Sequence, residues 1–231
     1  ARDAYLSALD SIQRLGLNST VSLKLSQFGM DFSESLCYQH VEAVVKRAAE
    51  ANTSVEVDME SLPYVDRTLA LVVRMHERYG NVRGVIQAYL RRSEQDVEML
   101  CEKGIPVRLC KGAYREPPSV AYQRRSEIRE NFLRLARTLL DRGVYPGFAT
   151  HDELLIGRII EYARAQGIPS DRYEFQMLYG VRRDLERHFL ANGFRLRLYV
   201  PYGRAWFPYF MRRLGEHPSN LLLLLRNLYR R

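Results

Sequence analysis

The feature that most constrains this chain is a repeated switch between two hydrophobic periods. Segments with apolar residues at every second position begin near Thr20, Ser54, Gly84, Pro106, Gly147, Tyr173 and Arg195. Between them lie longer segments with apolar residues three and four apart, such as 34–51 (Val41, Val44, Val45, Ala48) and 65–79 (Leu69, Val72, Val73). Period two is that of a strand and period 3.6 that of a helix. The strand starts lie 22 to 41 residues apart. That spacing suits βα units, so the pattern predicts parallel strands joined by helical crossovers. A leading helix over 2–15 (Leu6, Leu9, Ile12, Leu15) is expected to stop at Gly16. No low-complexity linker or composition shift interrupts the alternation, so a single domain over 1–231 is expected.

Strands of a doubly wound sheet are covered on both faces and read as near-continuous apolar runs. These do not. Ser22 and Lys24 alternate with Val21, Leu23 and Leu25, and Glu56, Asp58 and Glu60 with Val55, Val57 and Met59. Gln87, Arg108 and Gln176 interrupt three further strands. A barrel accounts for this, because the apolar face meets the helices while polar side chains point inward near the C-terminal mouth. Helix-length connectors argue against an antiparallel sheet with one wet face. Seven strands are read where a (βα)₈ barrel needs eight, and the chain opens on a helix. The expected fold is therefore α/β, a TIM-like barrel whose first strand precedes Ala1.

The chain has 35 Lys and Arg against 27 Asp and Glu, a formal charge of +8. That excess admits an anionic partner. The basic residues are interleaved with acids along the whole length, which speaks against nucleic acid. No stretch approaches the roughly 18 apolar residues of a membrane span. Cys37, Cys101 and Cys110 show no pairing logic. No signal peptide is read, and the start at Ala1 is expected to be a cut inside a longer protein. Dinucleotide, P-loop, zincin and nucleophile-elbow motifs are absent.

Three constellations could carry chemistry. The first is the inward charged set Lys24, Asp58 and Arg108, at corresponding places on three strands. Burial of such groups is costly unless they pair with each other or with a ligand; ion pairs that merely pack the interior would give the same pattern. The second is Arg212-Arg213-Leu214-Gly215-Glu216. On a helix Glu216 reaches both guanidiniums, and the arginine pair offers a clamp for a carboxylate or phosphate; an exposed Arg/Glu helix face is the plainer reading. The third is Arg108-Leu109-Cys110-Lys111-Gly112-Ala113-Tyr114. Small residues at this strand exit let backbone amides approach a planar or anionic ligand, although an ordinary exit turn reads alike. Thr150-His151 ends another strand, where a histidine is as readily a structural hydrogen-bonder as a base.

Taken together these segments resemble the proline dehydrogenase family. Val21 to Ser26 resembles its second strand, Val57-Asp58-Met59-Glu60 its third, Ile86-Gln87-Ala88-Tyr89 its fourth and Arg108 to Tyr114 its fifth. Phe148-Ala149-Thr150-His151, Tyr173 to Gly180 and Tyr199-Val200-Pro201-Tyr202-Gly203 resemble the sixth, seventh and eighth. Arg212-Arg213-x-x-Glu216 resembles the signature of the last helix. Arg115-Glu116-Pro117-Pro118 is more like the short stand-alone bacterial enzymes than the large bifunctional ones, which usually carry Trp at position 115.

The resemblance implies a distorted (βα)₈ barrel that holds FAD at its mouth, oxidises L-proline to Δ¹-pyrroline-5-carboxylate and passes electrons to a quinone. By resemblance, Arg212, Arg213 and Lys24 bind the proline carboxylate, and Glu216 pairs with the arginines near the amine. Tyr114, Leu178 and Tyr199 wall the ring, which leaves little room for a ring hydroxyl. Arg108 sits by the reactive flavin nitrogen with Asp58 in support. Met59, Gln87, Arg108, Lys111, Gly112, Ala113, Thr150 and His151 line FAD. A cytoplasmic enzyme is expected; contact with the cytoplasmic face of the membrane would suit a lipid-soluble quinone, and the basic Arg226, Arg230 and Arg231 are compatible with it without establishing it. Two other readings stand beside it: a non-flavin barrel enzyme acting on a phosphorylated small molecule, and a non-catalytic basic barrel.

Overall fold

The structure, a computed structural model, describes residues 1–203. The chain divides into two compact units, 1–146 and 147 onward. In the first unit the elements are α1 (Arg2–Arg14), β1 (Val21–Leu23), α2 (Glu34–Glu50), β2 (Val55–Val57), α3 (Val65–Tyr79), β3 (Val82–Gln87), α4 (Ser93–Glu102), β4 (Val107–Cys110) and α5 (Arg125–Arg142). Short 3₁₀ turns over Leu25–Phe28 and Leu62–Tyr64 follow β1 and β2. The second unit holds β5 (Gly147–Ala149), α6 (Glu153–Ala165), β6 (Glu174–Leu178), α7 (Arg183–Ala191) and β7 (Leu196–Tyr199). Among the described residues seven strands form, the number expected.

Local signals set the element ends. Ser33 caps α2, its Oγ accepting from the Leu36 amide at 3.3 Å. Asp152 caps α6 through Leu154 N at 3.2 Å. Gly80 ends α3 at φ +70°, its amide bonded to the His76 carbonyl. Gly16 follows α1 at φ +62°, at the expected stop.

In the first unit, β1 to β4 pair in chain order and all run parallel, with Val21 opposite Val55, Val55 opposite Val82 and Gly84 opposite Val107. Val41, Val44, Val45 and Ala48 of α2 are fully buried, as are Leu71 and Val72 of α3. Each such branched side chain contributes about 1.5–3 kcal/mol. Gly84 lets the helices close on β3: a Cβ there would stand 3.3 Å from Leu100 and 3.4 Å from Val72.

One expectation needs correction. Lys24 and Asp58 do not lie within strands, because β1 ends at Leu23 and β2 at Val57. Leu25 and Phe28 bury themselves in the 3₁₀ turn, and this draws the backbone off the ladder just past Leu23. The Asp58 amide still donates to the Leu23 carbonyl at 2.8 Å.

In the second unit, β5 to β7 also pair parallel, with Phe148 opposite Phe175 and Leu178 opposite Tyr199. Its core is aromatic: Phe175 lies 4.7 Å from Phe189, 5.8 Å from Tyr173 and 6.0 Å from Phe148, ring centre to ring centre. Among the described residues no helix is long and apolar enough to cross a membrane.

Candidate active site

The polar set predicted from alternation gathers on one face of the first unit's sheet. Register places Ser22, Glu56 and Arg83 at one level. Lys24, Asp58 and Arg108 lie one step further toward the strands' C-terminal ends. Asp58 is the hub. Its Oδ1 accepts from Ser22 Oγ at 2.8 Å and from Arg108 Nη1 at 3.2 Å, and its Oδ2 pairs with the Lys24 ammonium. The same Arg108 Nη1 lies 3.2 Å from Glu56 Oε2, while Glu56 Oε1 accepts from Arg83 Nη1 at 3.0 Å. Arg83 also donates to the Tyr145 carbonyl and lies over the Tyr145 ring.

Burial by itself would raise the Asp58 carboxyl. The Lys24 and Arg108 cations, with hydrogen bonds from Lys24 and Ser22, outweigh it and hold the group below the ordinary carboxylate range. The site therefore keeps a carboxylate that fixes two cations while water is largely excluded. Tyr5 of α1 abuts it, donating to the Ser22 carbonyl at 2.9 Å. Burial, and secondarily Asp58, push the Tyr5 hydroxyl up to about 12.

One level higher, Glu60 ties two strand exits together, accepting from Ser26 N at 2.9 Å and Ser26 Oγ at 2.5 Å. Gln87 is buried and its Nε2 donates to the Glu60 carbonyl at 2.9 Å. Met59 is buried beside it in sequence. Lys111, Gly112, Ala113 and Tyr114 form the loop leaving β4. That loop is pinned at its start by Tyr89 N to Lys111 O (2.9 Å) and at its return by Tyr122 N to Tyr89 O (2.8 Å). Gly112 has φ +104°, and a Cβ on it would fall 2.2 Å from Tyr89 Cδ1. Only glycine permits this approach.

In the second unit Thr150 is buried, its Oγ1 accepting from Asp152 N at 3.1 Å. His151 Nε2 accepts from the Leu178 amide at 3.0 Å, so that ring nitrogen carries no proton. His151, Leu178 and Tyr199 are thus brought to one strand end. Arg212, Arg213 and Glu216 lie outside the described residues.

Sequence reasoning gave no role to Tyr5, Glu56 or Arg83 in the first unit, nor to Glu174 and Arg197 in the second. Glu174 is buried and holds Arg197 through two bonds, at 2.9 and 3.1 Å. The signal for Glu56 was present, since it stands two residues before Asp58 and shares its face. No local signal marks Tyr5.

Comparison with known proteins bears directly on this geometry. The family model described as proline dehydrogenase matches residues 1–222. The chain is 37% identical over 212 residues to proline dehydrogenase 2 of Bacillus subtilis (strain 168), covering 92% of this chain and 70% of that relative. It is 36% identical over 231 residues to the proline dehydrogenase of Deinococcus radiodurans, covering 98% and 74%. Among solved structures, proline utilization A from Bdellovibrio bacteriovorus, inactivated by N-propargylglycine, superposes with a TM-score of 0.82 at 25% identity. That match covers 96% of this chain and 30% of the larger protein, so the chain spans under a third of its length. The likeness bears out the α/β barrel of TIM type lacking a strand. With the family model spanning nearly its whole length, this chain belongs to the proline dehydrogenase family and is an oxidoreductase of that class.

Proposed function

We propose that the chain catalyses FAD-dependent oxidation of L-proline to Δ¹-pyrroline-5-carboxylate and delivers the electrons to a quinone. The observation that carries this reading, beside family membership, is the buried Lys24–Asp58–Arg108 cluster at the strand ends. Two cations are held there in a fixed pose, where an anionic substrate group and an electron-accepting ring would need them.

The donor set fits a flavin nucleotide. The β4 exit carries the Lys111 cation next to a glycine whose Cβ position is filled by the Tyr89 ring, so the loop presents a charge and backbone, with no bulky side chain at 112, to a planar anionic nucleotide. Met59, Gln87, Arg108, Lys111, Gly112, Ala113, Thr150 and His151 would hold the cofactor, as the family resemblance implies. When bound, FAD supplies the acceptor for the hydride. The chain's own residues do the rest. Lys24, with Arg212 and Arg213, binds the substrate carboxylate. Glu216 pairs with those arginines near the amine. Tyr114, Leu178 and Tyr199 wall the ring. Asp58 holds Lys24 and Arg108 in register, and the Arg108 guanidinium favours the more negative reduced ring. Orienting the substrate in this way replaces a bimolecular encounter with a near-attack pose.

The same reading places the enzyme in the cytoplasm, in contact with the inner face of the membrane, where a lipid-soluble acceptor resides. An absorption spectrum before and after anaerobic L-proline tests the proposal. Flavin bands that bleach with proline support it. Flavin indifferent to proline removes the substrate, and a protein that takes up no flavin removes the cofactor.

A further inference from the structure

We propose that Tyr89 is a further cofactor-binding residue, its buried phenolic hydroxyl donating a hydrogen bond to a neutral acceptor atom of the flavin nucleotide. The inference rests on the reading of the site as a flavin site. Tyr89 is 5% exposed, and its Oη is buried with no hydrogen-bond partner among the described residues. Buried hydroxyls are nearly always bonded, and one left unmet is costly.

Everything else about Tyr89 is already accounted for. Its amide donates to the Lys111 carbonyl at 2.9 Å and its carbonyl accepts from Tyr122 N at 2.8 Å. Its ring lies directly on Gly112, where even a Cβ would not fit. The neighbouring Ala88 carbonyl is held by Asn131 Nδ2 at 2.7 Å. The backbone that carries the ring is therefore fixed on both sides, and the ring is packed against Gly112. Phenylalanine would satisfy the packing equally well, so the fold alone does not explain the hydroxyl.

Its position does explain it. Tyr89 stands two residues after Gln87, and its ring covers Gly112, both in the proposed cofactor set. Burial first, and then the nearby Glu116, Cys110 and Tyr114, push its ionisation upward, so it is a donor throughout the working pH range. Glu116 is engaged with the Leu62 amide at 2.8 Å, and its charge disfavours an anion beside Oη. A neutral oxygen or nitrogen, such as a ring carbonyl or ribityl hydroxyl, fits better than a phosphate.

The test is Tyr89→Phe in the full chain, measured as flavin-free protein and as holoenzyme. The thermal midpoint of the flavin-free protein should stay level or rise, because an unmet buried hydroxyl is removed. The FAD dissociation constant, read by quenching of flavin fluorescence, should weaken about tenfold, equivalent to 1.4 kcal/mol. An unchanged FAD constant overturns the assignment, and a lowered midpoint with it would give the hydroxyl to the fold or to a buried water. Weakened proline binding with FAD binding intact would give it to the substrate instead, and also overturns it. If the unmutated protein takes up no FAD, the flavin reading itself falls and takes this inference with it.

Discussion

Replacing Asp58 by Asn keeps the side-chain volume and removes the one negative charge that lies between Lys24 and Arg108. The carboxylate accepts from Ser22 at 2.8 Å and Arg108 at 3.2 Å and pairs with Lys24. The Asp58, Lys24 and Arg108 side chains are only 12%, 20% and 14% exposed, so solvent screens the cluster weakly. Removing one member of such a pair costs about 3–5 kcal/mol. The amide retains one acceptor oxygen, which puts the variant near the lower end, at about 3 kcal/mol. For a chain of this size each kcal/mol moves the thermal midpoint about 2–4 °C, so the variant should melt about 6–12 °C lower at pH 7. The pH dependence has a fixed sign. The folded-state carboxyl is held below its unfolded value, so its contribution is complete above the ordinary aspartate pKa of about 4 and fades as pH falls through the folded value. Asn does not titrate. The gap between the two proteins should therefore narrow from roughly pH 4 downward. Circular dichroism melts of both at pH 7, 4 and 3 make the comparison. Equal midpoints at pH 7, or a gap as wide at pH 3 as at pH 7, would refute the account of Asp58 as the ionised hub.

Gly112→Ala forces a Cβ to within 2.2 Å of the Tyr89 ring at a backbone φ of +104°. It should cost about 2–3 kcal/mol of stability and weaken FAD binding, checked by chemical denaturation and flavin titration; wild-type values for both would show that the loop relaxes freely. Tyr199, at the end of β7 opposite Leu178, is proposed to wall the substrate ring. Proline should exceed 4-hydroxyproline in kcat/KM by about 5- to 150-fold, since burying an unpaired hydroxyl costs on the order of 1–3 kcal/mol; comparable values for the two would sink the proposed wall.

The sequence by itself determined which elements form and which face of each carries charge. Val21-Ser22-Leu23-Lys24 and Val55-Glu56-Val57-Asp58 state their faces outright, because the alternation of a strand is a property of the local backbone. Helix stops such as Gly16 and Gly80 are equally local, and their positive φ is a demand on single residues. The resemblance in motif order then attached roles to Lys24, Asp58, Arg108 and the β4 exit. Only the tertiary structure decided how those faces meet. That one Arg108 nitrogen serves both Glu56 and Asp58 depends on the register of β2, β3 and β4, which the packing of helices on the far side of the sheet sets. That Lys24 stands just beyond its ladder depends on how Leu25 and Phe28 bury. That the Tyr89 ring packs against Gly112, its hydroxyl without a partner among the described residues, depends on a loop pinned from both ends. Periodicity is written within a few residues of chain, whereas the distance between two side chains on different strands exists only once the strands are aligned.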